Sequence, residues 1–287
     1  MCNMRSVEAL ETKGTMYSFD GSRSKLLRTA EDHPIPGVSR VAYPGLVMAY
    51  SGIEVGNVDY RFIDGIDEES GQPGDIGSVL ANRQKLLRSL PITRYVLQRV
   101  KLGGDFEDLS AIEPEDLQSV YETDGLITDR PGIALGLNPA DCAPMVIFDK
   151  EATVLGLIHV GRQGIDSGIH VASVNYIQDT YDVKPEDVRV YFGPAIHEKS
   201  YHYPGISAEQ LADPKWSAFI NRRRGNYHID TLGRAVNDLA EAGIDPSTQI
   251  AISSIDTASD KRYFSHVRSK HTGEPIGRNG FSAVLVD

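Results

Sequence analysis

Cys142 and His159 are the two residues whose types and spacing suggest chemistry. Both lie in PGIALGLNPADCAPMVIFDKEATVLGLIHVG, residues 131–161, where two apolar runs of strand length flank the polar tetrad DKEA. That pattern predicts a β-hairpin with both faces buried. If the tetrad is a four-residue loop, or its middle pair a two-residue turn, Phe148 faces Thr153 and Cys142 faces His159. Directly opposed residues have Cβ atoms roughly 4.5–5.5 Å apart, close enough to share a metal ion or to pass a proton from thiol to imidazole. A loop one residue longer or shorter would send the two side chains to opposite faces. Singly, each residue has a bland explanation: a buried cysteine is a small hydrophobe and a core histidine a hydrogen-bonded filler. Their pairing beside Pro139, Ala140 and Asp141 at one strand end, and Gly161 and Gly164 at the other, favours a site a ligand can approach closely.

Several elements must position this hairpin. Strand-like runs begin at Val38 (VSRVAY, then GLVMAY), and a Gly- and Asp-rich loop follows as far as Gly74. Val79, Leu80, Leu86, Leu87 and Leu90 predict a helix over 76–90, capped by Asp75 and stopped by Pro91. A strand is expected over 93–100, a short helix over 114–120, a helix over 165–181, and a strand at VRVYFG, 188–193. Thr231 is placed to cap a further helix through Leu239, with QIAISS and FSAVLV as late strands. Residues 1–37 read as a polar arm ahead of a single body over 38–287, and the mixture of strands and helices predicts an α+β fold with a mixed sheet.

The chain has 287 residues, and 29 Lys+Arg against 40 Asp+Glu give a net charge of −11. This argues against a polybasic nucleic-acid or membrane surface, and the Arg222–Arg224 run reads as a solvated patch. No apolar run approaches the roughly 18–20 residues of a membrane span and the start lacks a secretory signal, so a cytoplasmic location is expected. Cys2 and Cys142 are the only cysteines, which argues against a disulfide framework.

The segments NPADCAPMVIFD, LGLIHVGRQG, VYFGPAI with Tyr201 shortly after, and RYFSHVRSKHTGEPIGR resemble the laccase-domain (polyphenol oxidase) family, also described as purine nucleoside phosphorylases. Asn82-Arg83 and DGLITDRPG fit the same pattern, and order and spacing match over about 40–287. The resemblance implies a single α+β domain and a zinc ion held by two histidines and one cysteine, with copper an older assignment. It also implies phosphorolysis of adenosine, inosine and methylthioadenosine, with adenosine deamination, so that the partners are a purine nucleoside and phosphate. Carried over by position, Cys142 and His159 are metal ligands and, with Asp141, the catalytic group. Gly161, Arg162, Gln163, Tyr201, Ser265 and Arg268 are the substrate- and phosphate-binding candidates. Backbone N–H groups around Gly161 and Gly164, ahead of a helix from Ile165, suggest an anion cradle.

The chain departs from the family at telling places. The family's first histidine lies in a Gln-Val-His-Gly motif, and here Gln98-Arg99-Val100-Lys101 stands there; His33 is the only histidine before His159. His-Ala-Gly-Trp-Arg-Gly becomes His159-Val160-Gly161-Arg162-Gln163-Gly164, and Lys199-Ser200 replace a cysteine pair. Zinc sites that do chemistry generally use three protein ligands, so His197, His202 or His266 would have to complete the set. Two other readings follow: a metal-free Cys-His hydrolase or amidase, and a nucleoside-binding protein that has lost its chemistry.

Overall fold

The computed structural model describes residues 35–59, 76–274 and 276–287. Most of the polar arm, with His33, and the loop running to Gly74 and its Asp75 cap lie outside the described residues.

The chain opens with β1 (Val38–Tyr43) and β2 (Leu46–Ser51), then α1 (Ile76–Leu87), β3 (Arg94–Arg99), β4 (Glu107–Asp108) and β5 (Val120–Glu122). The central part contains β6 (Gly125–Thr128), β7 (Ile133–Leu137), β8 (Ala143–Asp149), β9 (Leu155–Val160), α2 (Arg162–Ser167), α3 (Ile169–Tyr181) and β10 (Val188–Phe192). The last third holds β11 (His202–Tyr203), α4 (Ala208–Ala212), β12 (Ile220–Arg223), β13 (Asn226–Ile229) and α5 (Thr231–Glu241), followed by β14 (Ile250–Ile252), α6 (His266–Thr272) and β15 (Phe281–Leu285).

Two six-stranded mixed sheets form the body, in the orders β1-β2-β15-β7-β3-β5 and β14-β10-β8-β9-β6-β4. Met48, Leu135, Leu137 and Phe281 of the first pack against Val146, Phe148, Leu155 and Leu157 of the second. On the far side of the second sheet, Met145, Ile147 and Ile158 meet Ile165, Ile169 and Ile177 from α2 and α3. Leu232, Ala235, Val236 and Leu239 of α5, at helical spacing, close the same layer. Leu86 of α1 covers the outer face of the first sheet against Val47, Ala49 and Val284. With the first sheet on one face and α2 and α3 on the other, every residue of β8 and β9 is buried, which is why both strands read as unbroken apolar runs.

The α+β expectation and the central hairpin are observed, with a corrected register. Pro144, not Cys142, is opposite His159, and Phe148 is opposite Leu155. The connection is longer because the Asp149 carboxylate gathers the N–H groups of Glu151, Thr153 and Val154 at 3.2, 2.6 and 3.0 Å, while Ala152 takes a left-handed φ of 54°. This moves the register by two residues, and because side chains alternate with period two, Cys142 stays on the His159 side, just before β8.

Other expectations shift similarly. No helix forms over 114–120: residues 114–116 are a turn and Val120 opens β5, since the buried Leu117 is a single apolar anchor without a stripe around it. The 165–181 helix starts earlier, at Arg162, and breaks at Gly168, whose φ of 77° ends α2 and begins α3. Asp230, not Thr231, caps α5 by accepting from Gly233 N at 2.8 Å.

Candidate active site

The end of β9 carries His159, and the turn between β5 and β6 carries Asp124. Because Gly125 pairs with Ile158, Asp124 falls beside His159, and the His159 N–H donates to the Asp124 carbonyl at 2.7 Å. The two side chains also meet, with His159 Nδ1 3.5 Å from Asp124 Oδ1. The Cys142 side chain acts on the same imidazole and raises its proton affinity. Gly161 faces the same point: a Cβ there would stand 2.8 Å from Cys142 Sγ and 3.4 Å from His159 Cε1. A side chain at 161 would therefore displace the sulfur.

Asp124 and His159 are both buried, and Cys142 is half-buried. Asp124 accepts three backbone N–H groups, from Leu102 at 3.0 Å, Gly103 at 2.6 Å and Gly104 at 3.0 Å. Burial would raise its pKa, but His159 and these N–H groups outweigh that and hold it at about 2. For His159, burial would lower the pKa, but Cys142 and Asp124 together lift it to about 9. Asp124 is thus a fixed acceptor that orients the ring. The sequence reading passed over it, although the signal was present: an aspartate immediately before the strand that pairs with the histidine strand.

The remaining candidates divide. Tyr201 is close enough to Cys142 and Arg162 to feel both charges, and burial, with Tyr203, pushes its phenol well above the usual range. Its ring meets that of Tyr203 edge-on at 5.6 Å. Arg162 lies over Trp216 at 5.4 Å, and Gln163 is exposed at the start of α2. The helix ahead of which an anion cradle was expected is only six residues long, and Gly161 caps it without a side-chain bond.

Asp141 is turned elsewhere. Its carboxylate accepts from Thr257 Oγ1 at 2.7 Å, Ser265 Oγ at 3.0 Å and Val267 N at 2.7 Å. Ser265 caps α6, and Arg268 donates to the carbonyls of Thr257, Ala258 and Tyr263 and to Glu274. Asp141, Ser265 and Arg268 therefore hold the 257–268 loop to the start of the hairpin, and none of the three is brought to Cys142 by these bonds. The Arg222–Arg224 run is exposed, as expected.

The expected zinc ligands do not make a complete set. Gln98 donates to Leu157 O, Arg99 pairs with Glu122 and Lys101 with Asp105, so the segment standing for the family's first histidine supplies no ligand. His197 is bonded to Ser253 O at 3.1 Å, while His202 lies 5.1 Å from the His228 ring and 6.2 Å from that of His271. Among the described residues, no three His, Cys, Asp or Glu side chains converge as metal ligands. Two soft donors without a third do not fit a zinc or copper centre that does chemistry. An open groove of about 520 Å³ beside α2 and α5 is lined by His170, Lys215, Arg234 and Asp238 among others, and neither Cys142 nor His159 lies in its wall.

A two-sheet α+β body with a Cys-His-Asp cluster at the end of a buried hairpin is the class of protein defined here. The chain belongs to the family described as multi-copper polyphenol oxidoreductase laccase, whose model matches residues 67–282. A purine nucleoside phosphorylase of Mycobacterium tuberculosis is 26% identical over 201 residues, 69% of this chain and 78% of that protein. The purine nucleoside phosphorylase YlmD of Geobacillus stearothermophilus is 29% identical over 210 residues, 69% of this chain and 76% of the relative. The crystal structure of YlmD from the same organism superposes with a TM-score of 0.71 at 23% identity, covering 91% of this chain and 100% of that one. The Bacillus licheniformis hypothetical protein YfiH gives 0.70 at 22% identity, covering 88% and 97%. Among the described residues, no helix is long and apolar enough to cross a membrane.

Proposed function

We propose that the chain is a purine nucleoside phosphorylase-type enzyme acting at Cys142 and His159, with a purine nucleoside and phosphate as substrates. The observation that carries this reading is the contact of His159 with both Cys142 and Asp124 beside Tyr201 and Arg162. The relatives' names give the substrate class. In this reading, the Tyr201 and Tyr203 rings offer flat apolar faces to the base. Arg162 supplies a cation for phosphate, and His159, oriented by Asp124, gives a proton to the departing base as the glycosidic bond breaks. Adenosine deamination would use the same cluster. The alternatives are a metal-free hydrolase and a nucleoside-binding protein without turnover.

The test is incubation of the purified chain with adenosine, inosine or methylthioadenosine in phosphate, with chromatography for free base, ribose 1-phosphate and deaminated nucleoside. Turnover is expected, and His159→Ala should lower it by about 10²–10⁴-fold. Nucleoside-dependent thermal stabilisation without any product would overturn the enzyme reading in favour of a binder.

A further inference from the structure

We infer that Trp216 positions Arg162 as the receptor for a tetrahedral oxyanion, and so sets the affinity of the site for its phosphate co-substrate. The inference deepens the reading given above and rests on it for the identity of that anion. Trp216 is a positioning residue, acting through Arg162.

Trp216 is the only tryptophan of the chain and is 1% exposed. It nevertheless sits in the segment between α4 and β12, where Pro214, Lys215, Ser217 and Ala218 around it are all exposed. The indole therefore enters the protein singly, with no apolar stripe of sequence neighbours to account for it. Two guanidinium groups share its ring, Arg162 at 5.4 Å and Arg234 at 5.3 Å from the centroid. Their situations differ. Arg234 is saturated, because its Nε donates to both Asp238 oxygens at 2.8 and 2.9 Å and its Nη1 donates to the Lys215 carbonyl. Arg162 is half-buried, and among the described residues no carboxylate or carbonyl accepts from it.

The carboxylate that helical spacing would give to Arg162 is Asp166, one turn further along α2. Asp166 is committed elsewhere: its Oδ1 accepts from the Trp216 Nε1–H at 2.6 Å. One bond thus ties the ring to the helix that carries Arg162 and leaves the guanidinium charge uncompensated. The ring face attracts that cation and restricts its rotamers, so less freedom is lost when its planar fork of N–H donors takes up an oxyanion. The guanidinium also lies where an anion would be used. Arg162 follows Gly161, where a Cβ would stand 2.8 Å from Cys142 Sγ, and Tyr201 feels the charges of both Arg162 and Cys142.

The experiment uses the full chain with inorganic phosphate as the probe. Because there is one tryptophan, its emission reports this indole alone. Phosphate should change the emission saturably, chloride at matched ionic strength should not, and Arg162→Gln should abolish the response. In the nucleoside assay, Trp216→Leu should raise the KM for phosphate about 10-fold and leave the KM for the nucleoside unchanged. Trp216→Phe should recover part of that loss, since a ring again lies beside the guanidinium. Asp166→Ala, at an exposed position, should act in the same direction more weakly, and it decides the matter together with the phosphate titrations should Trp216→Leu not fold. The inference is overturned by no saturable response in the wild type, by an equal response to chloride, or by a response that survives Arg162→Gln. A phosphate KM unmoved in the Trp216 and Asp166 variants, or a nucleoside KM raised as much, overturns it too. A phosphate response lost in Arg162→Gln, from a chain that turns over no nucleoside, leaves this inference standing and the nucleoside reading fallen. Phosphorolysis with an unmoved phosphate KM in the variants does the reverse.

Discussion

Asp141 and Cys142 are neighbours in the chain, yet they belong to two polar clusters of opposite character. The Asp141 cluster is saturated: two hydroxyls and a backbone N–H fill the carboxylate, and Ser265 and Arg268 extend the bonding around the 257–268 loop. The Cys142 cluster ends in a half-buried cysteine whose partners, His159 and Asp124, are fixed from behind. A saturated cluster has no capacity left for a substrate and contributes stability and direction. The unsaturated one retains a reactive end, held in place by the other.

The comparison is sharpest at Cys142→Ser. This change should lower turnover by about 10³-fold, roughly 4 kcal/mol in barrier, while lowering stability at neutral pH only by the share of the His159 stabilisation that the sulfur supplies. Asp141→Ala should do the converse, costing about 3 kcal/mol in urea unfolding by orphaning buried donors. Equal losses of activity and stability in both variants would erase the distinction between the clusters.

The next effect is in pH. Asp124, held at about 2 against an ordinary 3.8, contributes stability that is present above about pH 4 and lost as pH falls toward 2. His159, lifted to about 9 from 6.5, contributes stability that is full below about pH 6.5 and lost as pH rises through 9. Unfolding measured from pH 2 to 10 should therefore show both limbs in the wild type, each on the order of 2–3 kcal/mol. In Cys142→Ser the alkaline limb should flatten while the acid limb stays, and an unchanged alkaline limb would show that Cys142 does not act on the ring.

The smallest effect concerns a carboxylate outside both clusters. Asp230 is as buried as these, but burial, opposed by a single N–H from Gly233, pushes it up to about 6. Its ionisation therefore penalises the folded state, with no penalty below about pH 4 and the full penalty above about pH 6. Asp230→Asn keeps an equivalent cap on α5 and should raise stability at pH 8 by about 1 kcal/mol with no gain at pH 4. Asp124 and Asp230 thus differ in direction because Asp124 gains the His159 ring and three N–H groups, while Asp230 gains one N–H and faces the Glu198 charge.

Much of this was legible before folding. The doubly apolar runs of β8 and β9 announced a buried hairpin, and Leu232, Ala235, Val236 and Leu239 marked the inward face of α5 by spacing alone. The register was not legible, because the Asp149 carboxylate draws Thr153 and Val154 into a longer loop, and a side-chain to backbone bond of that kind leaves no periodic trace. The error was even in number, so the Cys142–His159 proximity survived it. Asp141 joins the catalytic group only by the resemblance. Its partners Thr257, Ser265 and Val267 are 116 to 126 residues away, a separation that no local pattern encodes.

By itself the sequence determined the family, the buried hairpin, and the presence of a cysteine and a histidine on one side of it, since these follow from residue type and a period of two. Only the tertiary structure decided that Asp124 orients the histidine, that Asp141 serves the scaffold, and that the described residues offer no third metal ligand. Each of those depends on which distant backbone N–H groups and side chains arrive beside a buried charge, and burial makes every such partner count.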